Sequence, residues 1–502
     1  MVKLFYALMA SIIILGCKTS NLKLSNILTD NSQIYTKNEE PKDTLNFACN
    51  IQLTYDEQTL NNKLNNLRFD IIQKSKEKHL PLFNSSLTEL KPFIESSQLF
   101  RLLNSMPKGG LLHSHSGGIL NPDSIINIAL KFKDSYVYTG TETKDYIKGQ
   151  LAIFLNKTQP IGFTALSDYL QKEKDAKEIL KKQLTLNRAT LVEYLDYWIE
   201  FEKRFKRINL LLQYRPFFKE YYATSFNVLL KDNIQHLEIR YIFGNLFDEL
   251  NNNYSSDTTI HDLNDIVLHI QKRNPKFTLK LIYTSFKFLD SIEVKHQLKN
   301  AFELKLKYPN YISGFDLVAD EATGNNIAYF KSTLKTITTL ENQYGIKMPL
   351  YMHAGESNNL SNTNLLNLPL DLNKRIGHGL NLIYFPALMN QIKSRNNLVE
   401  ISPLSNQELG YVSDLRNHPA RVLMANGIQC SINSDDPGVF GYDGLSYDFW
   451  VAFMAWDLEL TGLKKLVLNS INYSSLKNEE RKVALIHLQN DWNKFVSDSN
   501  KK

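Results

Sequence analysis

Apolar positions change their spacing along this chain. From about residue 50 to 105 they recur at three- and four-residue steps, as in LNNKLNNLRFDIIQK, which is the spacing of helices with one buried stripe. From Gly110 onward short, continuous apolar runs take over, and the stretches of 15 to 40 residues between most of them return to helical spacing. Eight runs read as strands: GLLHSH (110–115), HLEIRYI (236–242), TLKLIYT (278–284), ISGFDLV (312–318), MPLYMHA (348–354), KRIGHG (374–379), LVEIS (398–402) and GIQCSINSDD (427–436). Strands that alternate with helices build a parallel sheet, and eight such units predict an α/β fold closed into a (β/α)8 TIM barrel. The pattern assigns residues 46–105 to an N-terminal helical extension and 106–490 to the barrel.

One connection is far longer than the others. The first two strands are separated by residues 116–235, and most of that stretch (about 120–230) reads as a helical insertion beside the barrel mouth. It includes LVEYLDYWIEFEKRFKRINLLLQYRPFFKEYYATSFNVLL, with aromatic residues at helical steps. Rings at this spacing are read as core packing in preference to a ligand box.

The amino terminus, MVKLFYALMASIIILGC, carries one early lysine and an apolar run from Leu4 to Leu15. The run is about half of the roughly 20 residues that span a bilayer, so residues 1–16 read as a signal peptide and not as an anchor helix. Ile14-Leu15-Gly16-Cys17 resembles the lipobox of bacterial lipoproteins, which implies lipidation of Cys17, a flexible polar tether over residues 17–45, and a lipid-anchored place in the cell envelope, at the periplasm or the surface. Plain secretion with an incidental cysteine is the alternative. Of the remaining cysteines, Cys430 sits in the apolar run GIQCSIN as a small hydrophobe, and a bridge to Cys49 stays open. Lys and Arg exceed Asp and Glu by only 58 to 52, and basic runs such as KEKDAKEILKKQ are interleaved with acids. Such runs are solvated helix faces; no basic stripe argues for nucleic acid, and membrane contact is expected through the lipid alone.

Unusual chemistry gathers at the strand ends. His113 and His115 lie two strand rises apart, roughly 6.6 Å, and point to one face, so both can reach one metal ion at about 2.0–2.1 Å. Gly109, Gly110, Gly117 and Gly118 leave room around them. Alone, the pair fits two buried, hydrogen-bonded histidines better than a metal pair. The other strand ends change that: His353 lies in HAGE, His378 in RIGHG and Asp435-Asp436 in NSDDP, so four of the chain's 11 histidines fall where barrels carry their chemistry. The pattern points to a metal site, and imidazoles with a carboxylate suit zinc best, with iron or cobalt as lesser fits. The fourth strand, SGFDLVADE, offers no bridging lysine, so one ion is expected.

MPKGGLLHSH, HAGE, RIGHG and SINSDDP together resemble the motifs of the adenosine deaminase family, over roughly residues 95–490. The insertion and FEKRFKRINLLLQYRPFFKEYY are more similar to its secreted, growth-factor-related branch. The resemblance implies hydrolytic deamination of adenosine, and of 2′-deoxyadenosine, to inosine and ammonia by a zinc-activated water. It implies one zinc per chain on His113, His115, His353 and Asp435. Glu356 would protonate purine N1, His378 would steer the water, and Asp436 would hydrogen-bond N7. Ala319 would offer its backbone N–H to N3, and Ser116 stands where the family carries an aspartate for the ribose 5′-hydroxyl. Plainer readings exist: Asp435-Asp436-Pro437 is also a helix N-cap with a first-turn proline, Glu356 a loop acid, and Glu238 and Arg240 structural ion pairs in preference to substrate contacts. Two other functions fit the same residues: deamination of AMP or another purine derivative, and non-catalytic nucleoside binding or signalling. The expected partner is a small purine nucleoside, and the resemblance implies a homodimer formed through the helices of residues 50–105.

Overall fold

A computed structural model describes residues 47–155, 159–189, 197–357, 359 and 361–501. The signal peptide, Cys17 and the tether lie outside the described residues. Strands β1 (Gly109–His115), β2 (Ile234–Tyr241), β3 (Thr278–Phe286) and β4 (Ile312–Val318) pair in parallel in that order. Strands β5 (His353–Ala354), β6 (Arg375–His378), β7 (Leu398–Ile401) and β8 (Gln429–Ile432) form a second parallel run. Two seams close them into a barrel. Leu350 bridges Phe315 on one side and Asn373 on the other, while Ser114 pairs with Asp435. At this second seam the His115 N–H donates to the Asp435 carbonyl and the Asp435 N–H to the His113 carbonyl, both at 3.2 Å.

β5 is shorter than the run 348–354 predicts, because Pro349 has no N–H to give the ladder. Its carbonyl still accepts from the Phe315 N–H at 3.0 Å. Gly314 permits this approach, since a Cβ there would lie 2.4 Å from the Pro349 oxygen.

The extension folds as three helices, α1 (Tyr55–Glu77) followed by Leu87–Ser96 and Gln98–Ser105. Thr54 and Glu57 form a capping box that starts α1. The other Glu57 oxygen accepts from Trp492 Nε1 at 2.7 Å and Lys464 Nζ at 2.6 Å, which ties the extension to the C-terminal helices. Leu60, Leu64, Leu99 and Leu103 belong to the same hydrophobic core as the barrel strands.

The insertion is not wholly helical, contrary to the expectation from its spacing. Ser135–Tyr138, Leu151–Ile153 and Phe163–Ala165 form a three-stranded antiparallel sheet with a small core of its own at Tyr138, Ala152 and Phe163. Strands of three or four residues are too short to show alternation. The helices that follow include α2 (Tyr197–Gln213) and α3 (Arg215–Lys231). Aromatic residues of α3, among them Phe217, Phe218, Tyr221, Tyr222 and Phe226, are buried as core. Cys49 is exposed and Cys430 buried, and no disulfide joins the two. Among the described residues no helix is long and apolar enough to cross a membrane.

Candidate metal centre and active site

The carboxyl ends of β1, β5 and β6 and the segment after β8 converge on one point. His113 Nε2 lies 2.9 Å from His353 Nε2 and 3.3 Å from Asp435 Oδ1, which is 3.1 Å from His115 Nε2. The His115 ring centroid stands 5.4 Å from that of His113 and 5.2 Å from that of His353. His378 completes the group, its Nε2 3.5 Å from Glu356 Oε1 and 3.9 Å from Asp435 Oδ2.

Hydrogen bonds beneath the site decide which nitrogens are bare. His113 Nδ1 meets Glu400 Oε2 at 2.9 Å, and His353 Nδ1 meets Asp316 Oδ2 at 2.7 Å. A carboxylate only accepts, so each Nδ1 carries the proton and each Nε2 presents a lone pair. Burial holds His353 well below the ordinary imidazole range, with the neighbouring imidazoles and cations adding to it, so its ring is neutral. Burial opposes ionisation of Asp435, but positive charge among the facing His113, His115 and His378 groups, on a ring or on an ion between them, keeps its carboxyl well below the usual carboxylate range. Its Oδ1 is buried and accepts no hydrogen bond, while Ser405 Oγ donates to Oδ2 at 2.7 Å.

Two bare lone pairs at 2.9 Å, with an ionised oxygen beside them, repel unless a cation lies among them. Ligands at 2.0–2.1 Å around a tetrahedral ion stand about 3.3 Å from one another. The ligand atoms of His113, His353, His378 and Asp435 all lie within 4.8 Å of one another, and His115 forms a second such group with Asp435 and Asp436, so the cluster could hold a metal ion, with His378 drawn closer to the other donors than the sequence placed it.

The acids facing this group have the opposite character. Burial pushes the Glu356 carboxyl well above the usual carboxylate range, and the charges of Asp435 and Glu321 push it further, which favours its protonated form. Asp436 is raised in the same way, by burial and then by Asp435. Gly118 makes its position possible, because a Cβ there would fall 1.9 Å from Asp436 Oδ1. Glu356 is thus a buried acid, not a surface loop acid.

A cavity of about 330 Å3 opens above these groups. Its floor includes His115, Ser116, Ala319, His353, Glu356, His378, Asp435 and Asp436, so the residues singled out from the strand ends meet in one place. Its wall includes Trp198, Phe201 and Phe205 of α2, with Phe286 at the end of β3 and Phe288 just beyond it. The insertion's rings are core, as their spacing indicated, and those of the first half of α2 pack against that core while also lining this cavity. Ala319 has φ +98°, His378 +63° and Asp435 +61°, so three residues other than glycine adopt the left-handed region around one cavity.

Asp316, Glu400, Arg375, Lys287 and Glu321 escaped the sequence reading, and Arg240 and Glu238 were read only as structural ion pairs. Arg240 joins the two carboxylates beneath the histidines, with Nε 3.0 Å from Asp316 Oδ2 and a terminal nitrogen 2.5 Å from Glu400 Oε2. Arg375 reaches Glu400 and Glu238, at 2.5 and 2.6 Å. Arg240 and Glu238 are structural, as their strand positions suggested, but through Arg240 they sit one layer below the metal donors. Burial opposes ionisation of Glu400, and the two arginines hold it well below the usual range nonetheless. Lys287, wholly buried, donates to Glu321 Oε1 at 2.9 Å, and Glu321 Oε2 accepts from the Gly355 and Glu356 N–H groups, which sets the HAGE turn. The available signal was a charged residue inside an apolar run, which cannot stay buried without a partner.

A parallel (β/α)8 barrel with a histidine-carboxylate cluster at the carboxyl ends of its strands is the layout of a barrel enzyme. An amidohydrolase from Burkholderia ambifaria, solved with bound zinc, shares this fold with a TM-score of 0.52 at 13% identity, over 80% of this chain and 95% of that one. The family model for adenosine deaminase matches residues 166–491. Adenosine deaminase 2 of Dictyostelium discoideum is 33% identical over 78% of this chain and 73% of its own length. Adenosine deaminase 2 of Sus scrofa is 30% identical over 89% of this chain and 90% of its own. The chain belongs to the adenosine deaminase family, in its adenosine deaminase 2-like branch.

Proposed function

We propose that this chain hydrolyses adenosine and 2′-deoxyadenosine to inosine or deoxyinosine and ammonia, with one zinc ion per chain held by His113, His115, His353 and Asp435. The observation that carries the reading is a buried Glu356 carboxyl, its Oε1 3.5 Å from His378 Nε2, on the same cavity as the histidine-aspartate cluster. Zinc on three imidazoles and a carboxylate supplies a Lewis acid that brings the pKa of a water to about 7.

The side chains divide the remaining work. Glu356 gives its proton to N1 as the water oxygen adds to C6, which keeps charge from building on the ring. His378, between Glu356 and Asp435, orients that water. The protonated Asp436 carboxyl donates to N7, and the Ala319 N–H faces N3. Loss of the exocyclic amine as ammonia, after it takes up a proton, completes the exchange. The apolar wall keeps bulk water away and strengthens each of these contacts. Among the described residues no lysine or arginine lines the cavity, which favours a nucleoside over AMP.

The test is the metal-loaded protein on a panel of adenosine, 2′-deoxyadenosine, AMP and adenine, read by ammonia release. Adenosine should turn over fastest, and Glu356→Gln should lose about 10²–10⁴ in kcat while keeping its metal. Faster turnover of AMP would favour the nucleotide reading. Adenosine binding without any ammonia would favour a non-catalytic nucleoside receptor.

The apolar run Leu4–Leu15 and Cys17 support a second proposal, export with a lipid on Cys17. Labelled palmitate should enter the wild type and not Cys17→Ser. A wild type that takes up none would indicate a cleaved secretory leader instead.

A further inference from the structure

We infer that Asn406 and His418 are positioning residues that lock His378 in the tautomer carrying its proton on Nε2. The inference rests on the deaminase reading for its consequence, but not for its geometry. The three residues are buried, at 0%, 1% and 1% exposure for Asn406, His418 and His378. Their hydrogen bonds form one chain that starts from a group whose role is fixed.

The Ala420 backbone N–H can only donate, and it meets His418 Nδ1 at 3.1 Å. His418 Nδ1 is therefore bare, and the proton of the neutral ring sits on Nε2. Burial pushes this imidazole down to about 3, so it stays neutral at working pH. His418 Nε2 then donates to Asn406 Oδ1 at 3.2 Å. That sets the amide: with its oxygen toward His418, its nitrogen faces His378 Nδ1, also at 3.2 Å. The reversed amide would oppose two donors at the His418 end. His378 must accept at Nδ1, so its proton lies on Nε2, toward Glu356 and Asp435.

His113 and His353 are held in the other tautomer by Glu400 and Asp316. Four rings share one pocket, and the group behind each Nδ1 sorts those two from His378: an acceptor behind it yields a metal donor, a donor behind it yields an N–H for the reacting water. With a bare Nε2, His378 would compete for the metal and could no longer donate to the oxygen that gathers charge.

The experiment uses the metal-loaded protein with 15N-labelled histidine, the His378 signals being assigned by their loss in His378→Gln. Wild type should show His378 protonated at Nε2 alone. Asn406→Asp keeps the shape but accepts at both ends, so the His378 proton should move to Nδ1. kcat should then fall about 10²–10⁴, the scale known for a catalytic histidine in the wrong tautomer, with KM within about threefold. His418→Gln retains a donor toward Asn406 and should stay within about fivefold of wild type, while His418→Leu should give a mixture of His378 tautomers. If Asn406→Asp fails to fold, that mixture is the deciding observation. A purely structural role would lower stability in every variant and leave the His378 signature unchanged, which would overturn the inference, as would a wild-type His378 protonated at Nδ1. The nitrogen spectrum needs no substrate, so a protein that deaminates no purine would end the proposed function and leave this inference standing or falling on its own spectrum.

Discussion

On the floor of the cavity the polar atoms are held from below, whereas the wall above is made of rings that touch mainly one another. Beneath the floor His113 rests on Glu400, His353 on Asp316, and Arg240 ties the two acids together. On the wall Trp198 packs on Phe201 at 5.0 Å between centroids, Phe201 on Phe205 at 5.1 Å, and Phe286 stacks on Phe288 at 4.7 Å. Phe288 is 60% exposed, while Glu400 and Asp316 are wholly buried. Hydrogen bonds in a dry interior are directional and costly to leave half made. Apolar contact is non-directional and tolerates changes of shape. The floor should therefore govern metal and kcat, and the wall KM and the range of substrates.

The largest effect expected from breaking this contrast is at Asp316, which touches no substrate. Its two oxygens accept four donors: His353 Nδ1 at 2.7 Å, Arg240 Nε at 3.0 Å, the His353 N–H at 3.0 Å and the Leu317 N–H at 2.7 Å. In Asp316→Asn an NH2 group must face two of those donors. Metal affinity should weaken about 10–100-fold, and stability should fall by about 3–5 kcal/mol, measured by metal titration and by chemical denaturation. Unchanged metal affinity would mean that the floor does not depend on the layer below it.

Next in size is Phe205→Ala on the wall. Phe205 lies over Gly117, where a Cβ would sit 3.2 Å from its ring. Removing the ring should raise KM about tenfold at constant kcat, since it takes away contact that substrate and transition state share. A matching fall in kcat would place Phe205 in the reacting geometry and erase the distinction between wall and floor.

The same contrast explains what the sequence reveals. His113, His115, His353, His378 and Asp435 are legible because each sits at the end of an apolar run and the barrel brings such ends together. Asp316 and Glu400 look like ordinary strand residues, since their partners His353 and His113 lie 37 and 287 positions away. A single acid inside GFDLV or LVEIS was still a usable clue, because a buried charge requires a partner. The wall is harder. Helical spacing places the rings of α2 and α3 on inward faces alike, and only the packing of the insertion on the barrel decides which of them meet a cavity.

Ser116→Asp sharpens the contrast at the edge between the two regions, where the resemblance to the family predicts a carboxylate. Ser116 lines the cavity, and its backbone carbonyl already accepts from Tyr222 Oη at 2.9 Å, so the main chain is held. A charged acceptor holds a hydroxyl more strongly than a serine by about 1 kcal/mol. KM for adenosine should fall about fivefold, and KM for 5′-deoxyadenosine should not, as the latter has no hydroxyl to present. An equal change for both nucleosides would remove the ribose 5′-hydroxyl from the neighbourhood of residue 116.

The smallest effect is expected at Ala319, where strain and specificity meet. Its φ of +98° is one that an L side chain rarely adopts, and such backbone costs of order 1–3 kcal/mol. Ala319→Gly relieves that cost but adds about 0.4–1 kcal/mol of unfolded-state freedom, so the net gain should be about 1 kcal/mol in denaturation. The methyl group also leaves the cavity floor, which lets a purine ring come closer to the backbone N–H. KM should therefore fall or hold, with kcat unchanged. His378 and Asp435 share the left-handed backbone but have side chains the site needs, so glycine at either position should gain the same backbone relief and lose activity. If Ala319→Gly instead lost kcat as those two would, its methyl group would be part of the reacting geometry, and strain would mark only the floor's chemistry, with no bearing on its selectivity.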